Sequence, residues 1–302
     1  MRIKNTGKWT PKYVFYALFA NYITGGTIRY ENRTTGLHNL QTESYVTTVE
    51  IPERTIAEQN AIVRHLDKII EIIDLQRKQA EQLDLLVKSR FIELFGDCKT
   101  NPKSWSVKHL EDVADVGSSK RVFVEELLDE GIPFYRGTEV GALAEGKQIS
   151  PELFISPEHY QSLREVTGTP QIGDLLMPSI CPDGRIWVVD TEKPFYFKDG
   201  RVLWVHNITH NYNPVFLLHT LKDRIMTDYG SIASGTTFAE LKIFALKKCQ
   251  IFDVPIELQE QFAAFVEQTD KSKYLNYNFI KSCTAIAAFY RQEWMTCQTL
   301  TS

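Results

Sequence analysis

The chain has 302 residues, 43% hydrophobic and 24% charged, which suits a globular protein of about two domains. No stretch approaches the roughly 18–20 apolar residues of a membrane span, and the first thirty residues lack the apolar segment of a signal peptide. Five scattered cysteines without a C-x-x-C pair argue against a disulfide framework or a zinc module, a reducing cytoplasm is the expectation, and the formal charge of −4 supplies no general attraction for nucleic acid.

In chain order, Thr10-Pro11 opens the first apolar helix, with a capping residue followed by proline at the first helical position. Residues 1–50 carry six basic and three acidic side chains and are the only positive region. The clearest feature runs from 53 to 95. Ile62, Leu66, Ile69, Ile73, Ala80, Leu83, Val87 and Leu94 alternate steps of four and three, with Gln76 and Arg90 filling the gaps, which is the register of a coiled-coil seam. Ile70, Ile72, Leu75, Leu85, Leu86 and Phe91 are expected to widen that face. Residues 57–95 hold no proline or glycine, and Gly96 stands where a C-cap glycine belongs. The rod is about 50 Å long at 1.5 Å per residue.

Residues 98–250 read as a compact mixed domain, with seventeen basic and twenty acidic side chains. Short strands are expected at 132–136, 174–177, 185–189 and 201–205, and helices after Ser156-Pro157 and Asn213-Pro214. Thr237-Phe238-Ala239-Glu240 fits a capping box, so a short helix is expected from Thr237. Phe252-Asp253-Val254-Pro255 then turns into a last helix carrying Phe262, Phe265, Val266, Phe279, Ile286 and Phe289.

Two parts of the chain resemble each other. Pro255, Ile256, Gln259, Phe262 and Val266 stand 200 positions after Thr55, Ile56, Gln59, Ile62 and Leu66. Asn213-Pro214 parallels Thr10-Pro11 at an offset of 203, and Ser234-Gly235-Thr236-Thr237 parallels Arg33-Thr34-Thr35-Gly36 at 201. The pattern is a module of about 200 residues present once whole and once as its tail.

Catalytic motifs fail on inspection. Asn213-Pro214-Val215-Phe216 approaches the adenine-binding loop of amino-methyltransferases, but it has Val at the third position and reads as a helix start. Asp183, Asp190 and Lys193 miss nuclease spacing because Thr191 occupies the ligand position. His206 and His210 lack the glutamate of a zinc protease, and Gly117-Ser118-Ser119-Lys120 is too short to cradle a nucleotide. What remains is a set of polar loop residues suited to phosphates and base edges: Lys120, Arg121, Arg136, Thr138, Ser179, Arg185, Lys198, Arg201, Ser234, Thr236 and Thr237.

The block Ala57-Glu58-Gln59-Asn60-Ala61-Ile62-Val63, running on through Leu83 to Gly96-Asp97, resembles the central conserved region of the DNA-specificity subunits of type I restriction–modification systems. Gly131-Ile132-Pro133-Phe134-Tyr135-Arg136, Gly173-Asp174-Leu175-Leu176, Asp199-Gly200-Arg201-Val202 and Ser234 to Thr237 are similar to the family's target-recognition domain. Residues 256–266 resemble its distal conserved region. The resemblance implies an α+β fold, a mixed α/β target-recognition domain flanked by two long antiparallel coiled-coil helices. Its parts are a remnant of a first recognition domain (1–50), a central helix (51–97), a complete recognition domain (98–250) and a distal helix (251–302). It also implies a non-enzymatic chain that reads double-stranded DNA beside a modification (methyltransferase) subunit and a restriction/translocase subunit. S-adenosylmethionine, ATP and Mg are then expected in those partners, with no cofactor or metal in this chain. Only the tail of the first recognition domain is present, so self-association of two copies is one route to a two-part site. A protein-interaction scaffold, or an inactive remnant without DNA binding of its own, is the rival reading.

Overall fold

The computed structural model describes residues 7–34, 37–235 and 239–296. In chain order the elements are α1 (Pro11–Ile23), β1 (Glu31–Thr34), β2 (Leu37–Leu40), α2 (Thr42–Thr48) and α3 (Ile56–Phe95). Then come β3 (Ser106–His109), β4 (Asp115–Gly117), β5 (Ile132–Tyr135), α4 (Gly137–Ala144), β6 (Phe154–Ile155), α5 (Pro157–Thr167) and β7 (Leu175–Pro178). The remainder are β8 (Trp187–Val188), β9 (Tyr196–Phe197), β10 (Val202–His206), α6 (Pro214–Ile232), β11 (Ala233–Ser234), β12 (Glu240–Leu241), α7 (Ile243–Lys247), β13 (Gln250–Asp253) and α8 (Ile256–Thr296). The chain divides into two compact units, Met1–Asp84 with Asp270–Ser302, and Leu85–Thr269. No described helix is long and apolar enough to cross a membrane.

Local chemistry sets the ends of α3. The Glu58 carboxylate accepts from the Thr55 amide and hydroxyl, each at 2.8 Å, and closes a capping box. At the far end Gly96 takes φ +86°, and its amide reaches the Ile92 carbonyl at 2.8 Å. The Trp105 indole N–H satisfies the Phe95 carbonyl at 2.9 Å.

Along the seam Leu66 and Val87 are buried, and Ile62, Ile69, Ile73, Leu83 and Leu94 are half-buried. The wider apolar face expected from the sequence is not formed. Phe91 is buried and Ile72 half-buried, but Ile70, Leu75, Leu85 and Leu86 are exposed, because no described element covers that flank.

In the first unit, α1 lies on α3 through Tyr16, Leu66 and the half-buried Ile62, Val63 and Ile69. Lys273 of α8 makes ion pairs with Asp84 at 2.7 Å and Asp270 at 2.9 Å. In the second unit, Phe91 and Phe95 of α3 meet Phe262 of α8 edge-on at 5.4 and 5.6 Å. Phe95 also packs at 4.7 Å on Phe216 of α6. The contacts of 91 and 95 with 262, and of 84 with 273, make the two helices antiparallel.

The second unit centres on an antiparallel sheet ordered β4-β10-β7-β8. Its largest core cluster takes Leu175, Met177, Leu203 and Val205 from the sheet, Phe216, Leu217, Leu221 and Ile225 from α6, and the phenylalanines of both long helices. The Ser156 hydroxyl caps α5 by accepting from His159 N at 3.1 Å, and Asn213 Oδ1 caps α6 by accepting from Val215 N at 2.9 Å. β13 pairs with β3, and β5 pairs in parallel with β9. Glu240 does not begin a helix: it pairs with Ser234 in the β11–β12 hairpin, and the short helix starts at Ile243. Thr237 lies outside the described residues.

The internal repeat recurs element by element: α1, a hairpin, a short helix and α3 match α6, a hairpin, a short helix and α8. It recurs in side-chain chemistry too. Gln59 and Gln259 are both fully buried. Gln259 Oε1 accepts from Asn213 N at 2.9 Å, while its Nε2 donates to the carbonyls of Asn211 (3.0 Å) and Val254 (2.9 Å). Gln59 Oε1 accepts from Thr10 N at 2.8 Å, and its Nε2 donates to the carbonyls of Lys8 and Arg54, both at 2.9 Å. Thr10 was expected to cap α1 with its hydroxyl. That hydroxyl is buried without a partner, and Gln59 holds the Thr10 amide instead.

Replacing Gln259 with Ala leaves one backbone donor and two acceptors unpaired, at roughly 1–3 kcal/mol for each group left dry. The expected loss is at least about 3 kcal/mol, the low end of that sum, read as a thermal unfolding midpoint lowered by several degrees. An unchanged midpoint contradicts this role.

Candidate nucleic-acid interface

Strand register brings the candidate residues to one end of the four-stranded sheet. β10 pairs antiparallel with β7, Val202 opposite Pro178, so Arg201 and Ser179 emerge together. Gly117 at the end of β4 faces Trp204, which carries the Ser118 to Arg121 loop toward the same edge. That loop is pinned there: Ser118 Oγ donates to the Val202 carbonyl at 2.7 Å, and Ser119 Oγ to the Phe197 carbonyl at 2.6 Å. β8 pairs antiparallel with β7, Trp187 opposite Leu176, so Arg185 points back to this end. β5 and β9 bring Arg136 and Lys198 beside each other, with Lys198 N donating to the Tyr135 carbonyl at 2.9 Å.

Ser179 is the joint between these loops. Its amide reaches the Arg201 carbonyl at 2.9 Å, and its carbonyl accepts from Leu241 N at 2.7 Å, which ties the β11–β12 hairpin to the sheet end. Its side chain is buried, at 2% exposure, so Ser179 positions the loops and presents no hydroxyl at the surface. Helix α4 lies close against the same point. A Cβ on Gly137 would stand 3.3 Å from the Arg201 carbonyl oxygen, and one on Gly141 would stand 2.8 Å from Arg185 Nη1. A side chain at 141 would therefore push the end of the Arg185 guanidinium aside.

Of the other candidates, Lys120, Thr138, Lys198 and Ser234 are exposed, and Thr236 and Thr237 lie outside the described residues. The four arginines all contact carboxylates. Arg121 meets Asp199 at 3.0 Å, and Arg136 holds Glu139 in a bidentate pair at 2.6 and 3.1 Å with Glu152 at 3.0 Å. Arg201 is bonded to Glu240. Arg185 Nε lies 2.8 Å from Asp183 Oδ2, but its N–H is not aligned on that oxygen and has no hydrogen-bond acceptor. No ion pair engages Lys120 or Lys198 among the described residues. Burial alone would raise the Glu139 carboxyl, but bonds from Arg136 and the Thr138 hydroxyl outweigh it and hold the group at about 2.

Of the motifs set aside in the sequence, the His206 and His210 pair stays apart from this edge. His206 stacks on Trp204 at 3.8 Å, and the Trp204 indole donates to Asp174 at 2.8 Å. They line an open cleft of about 730 Å³ that contains none of the candidate residues. No group of three or more metal-ligating side chains occurs among the described residues.

No family model matches the chain. A putative type I restriction enzyme specificity subunit of Haemophilus influenzae is 26% identical over 232 residues, 75% of this chain and 57% of that protein. The chain thus spans a little over half the length of this curated relative. Three solved structures align with 96% of the chain. The type I restriction–modification S subunit of M. genitalium gives a TM-score of 0.55 at 17% identity over 74% of its length. The HsdS subunit of Thermoanaerobacter tengcongensis gives 0.51 at 18% over 70%. A chain from a type I system, described for its complex assembly and conformational transition, gives 0.61 at 18% over 72%.

The chain has the fold of a type I specificity subunit. Within that fold, sequence reasoning reached the basic residues of the sheet end but missed their acidic partners. One was legible as a short spacing, Asp183-Gly184-Arg185, where a tight glycine turn brings acid and arginine together, whereas Asp199 was not, because it stands 78 residues from Arg121. Glu139 was legible as the third helical residue after the Arg136 cap. Glu240 was not, because it stands 39 residues from Arg201.

Glu139 supplies a pH test. Its folded value of about 2 lies below the ordinary 4.5, so its stabilisation is complete above pH 4.5 and is lost as pH falls toward 2. Glu139→Gln is expected to flatten the fall in thermal midpoint across that window. An acid profile identical to that of the unaltered chain contradicts the assignment.

Proposed function

We propose that this chain is a non-catalytic DNA-specificity subunit of a type I restriction–modification complex in the cytoplasm. The convergence of loop residues from separate strands at one sheet end, in a chain of this fold, carries the reading. The domain of residues 98–250 meets the major groove of one half-site, where base edges are distinguishable. Lys120 and Lys198 approach phosphates, and Arg121, Arg136, Arg185 and Arg201, with Thr138, Ser234, Thr236 and Thr237, approach bases or phosphates.

The long helices offer the docking surface for a modification subunit. Methyl transfer with S-adenosylmethionine, and ATP- and Mg-dependent translocation and cleavage, belong to the modification and restriction partners. A second copy of this chain supplies the other half of a two-part site.

The rival reading is a protein-interaction scaffold. The excess of acidic over basic side chains in residues 98–250, and the pairing of its interface arginines, speak for it. Duplex binding across a salt series separates the two. With the modification subunit present, log affinity should fall against log salt with a slope of about −0.9 per phosphate contact, and Lys120→Ala with Lys198→Ala should make the slope shallower by about 2. Methylome sequencing of cells carrying the complex should then return a defined motif. A flat salt response and an unmodified genome would establish the scaffold.

A further inference from the structure

The acidic partners of the arginines have no role in the reading above, yet they share the same sheet end. Arg121 and Asp199 come from two loops, Arg201 and Glu240 from a turn and from strand β12, and neither pair is a short-range helical pair. Each arginine is therefore occupied in the free chain.

Surface pairs such as Arg121–Asp199 and Arg201–Glu240 contribute little to stability, so stability does not account for their presence at this edge. Their effect on an approaching polyanion is larger. An arginine that leaves a carboxylate for a phosphate exchanges one oxyanion partner for another, and the abandoned carboxylate then faces the DNA backbone. A guanine edge offers two neutral acceptors that a guanidinium engages bidentately, and it keeps the carboxylate farther from phosphate.

We propose that Asp199 and Glu240, with Glu139 and Asp183 beside them, are specificity determinants. They mask the arginines from phosphate, hold down binding to non-target DNA, and release the arginines only where a base edge fits. This rests on the DNA-specificity reading. It also accounts for an acidic domain presenting a DNA-reading surface, since discrimination is a difference of two affinities and is gained by weakening the wrong complex. Among the four arginines, Arg185 is the one whose buried Nε–H lacks an acceptor.

The test measures affinity of the complex with the modification subunit for a random-sequence duplex and for one carrying the methylated motif. Glu240→Gln and Asp199→Asn should each tighten random-sequence binding about two- to fivefold and steepen the salt slope by about 0.9. Motif binding should change less, so the ratio between the two duplexes falls. The gain from Glu240→Gln should disappear in an Arg201→Ala background. An equal gain there means simple loss of charge repulsion and overturns the proposal, as does unchanged random-sequence affinity beside intact motif binding. Failure of the unaltered complex to bind either duplex overturns the underlying DNA reading instead.

Discussion

A buried amide at the start of each long helix is the constraint on which the rest depends. Proline at the first position of α1 and α6 pre-sets the helical φ and removes one amide donor, but it leaves the amide of the preceding residue to be satisfied. Gln59 and Gln259 accept that amide and donate to carbonyls on both sides, so helix start, preceding loop and following helix are fixed by one side chain in each copy. A fully buried carboxamide has high value only when all its groups are paired, and here both amide hydrogens and the oxygen are used.

From that joint the second unit is built outward. The phenylalanines of α3, α6 and α8 close one side of its core, and the four-stranded sheet lies within the same cluster. β7 and β10 then fix which residues emerge at the sheet end, because their register sets Arg201 next to Ser179. The interface is thus a consequence of strand pairing. Its side chains are supplied by turns, while the sheet supplies their positions.

What the sequence showed and what it hid divide along physical lines. The expectation of a helix over 57–95 met Ile56–Phe95, because no proline or glycine interrupts the periodicity and Gly96 ends it. Strands at 132–136, 174–177 and 201–205 met β5, β7 and β10 within a residue or two, since buried strands read as apolar runs. Local grammar misled where a long-range partner decided the outcome. Glu240 looked like the third-position partner of a Thr237 capping box but serves a hairpin and Arg201, and Thr10 looked like a hydroxyl cap but yields its amide to Gln59. Leu75, Leu85 and Leu86 suggested a broad buried face, which periodicity cannot distinguish from an apolar surface. Ser179 fell among the polar loop residues, though only the fold shows that it is buried.

Native-state hydrogen exchange at the Asn213 amide tests the glutamine joint most directly. If Gln259 holds the start of α6 as described, this amide exchanges only through global opening of the second unit, with the same free energy as the β10 amides. Exchange at the rate of the neighbouring exposed loop, with β10 still protected, would mean that the joint opens by itself and is not the constraint that orders the fold.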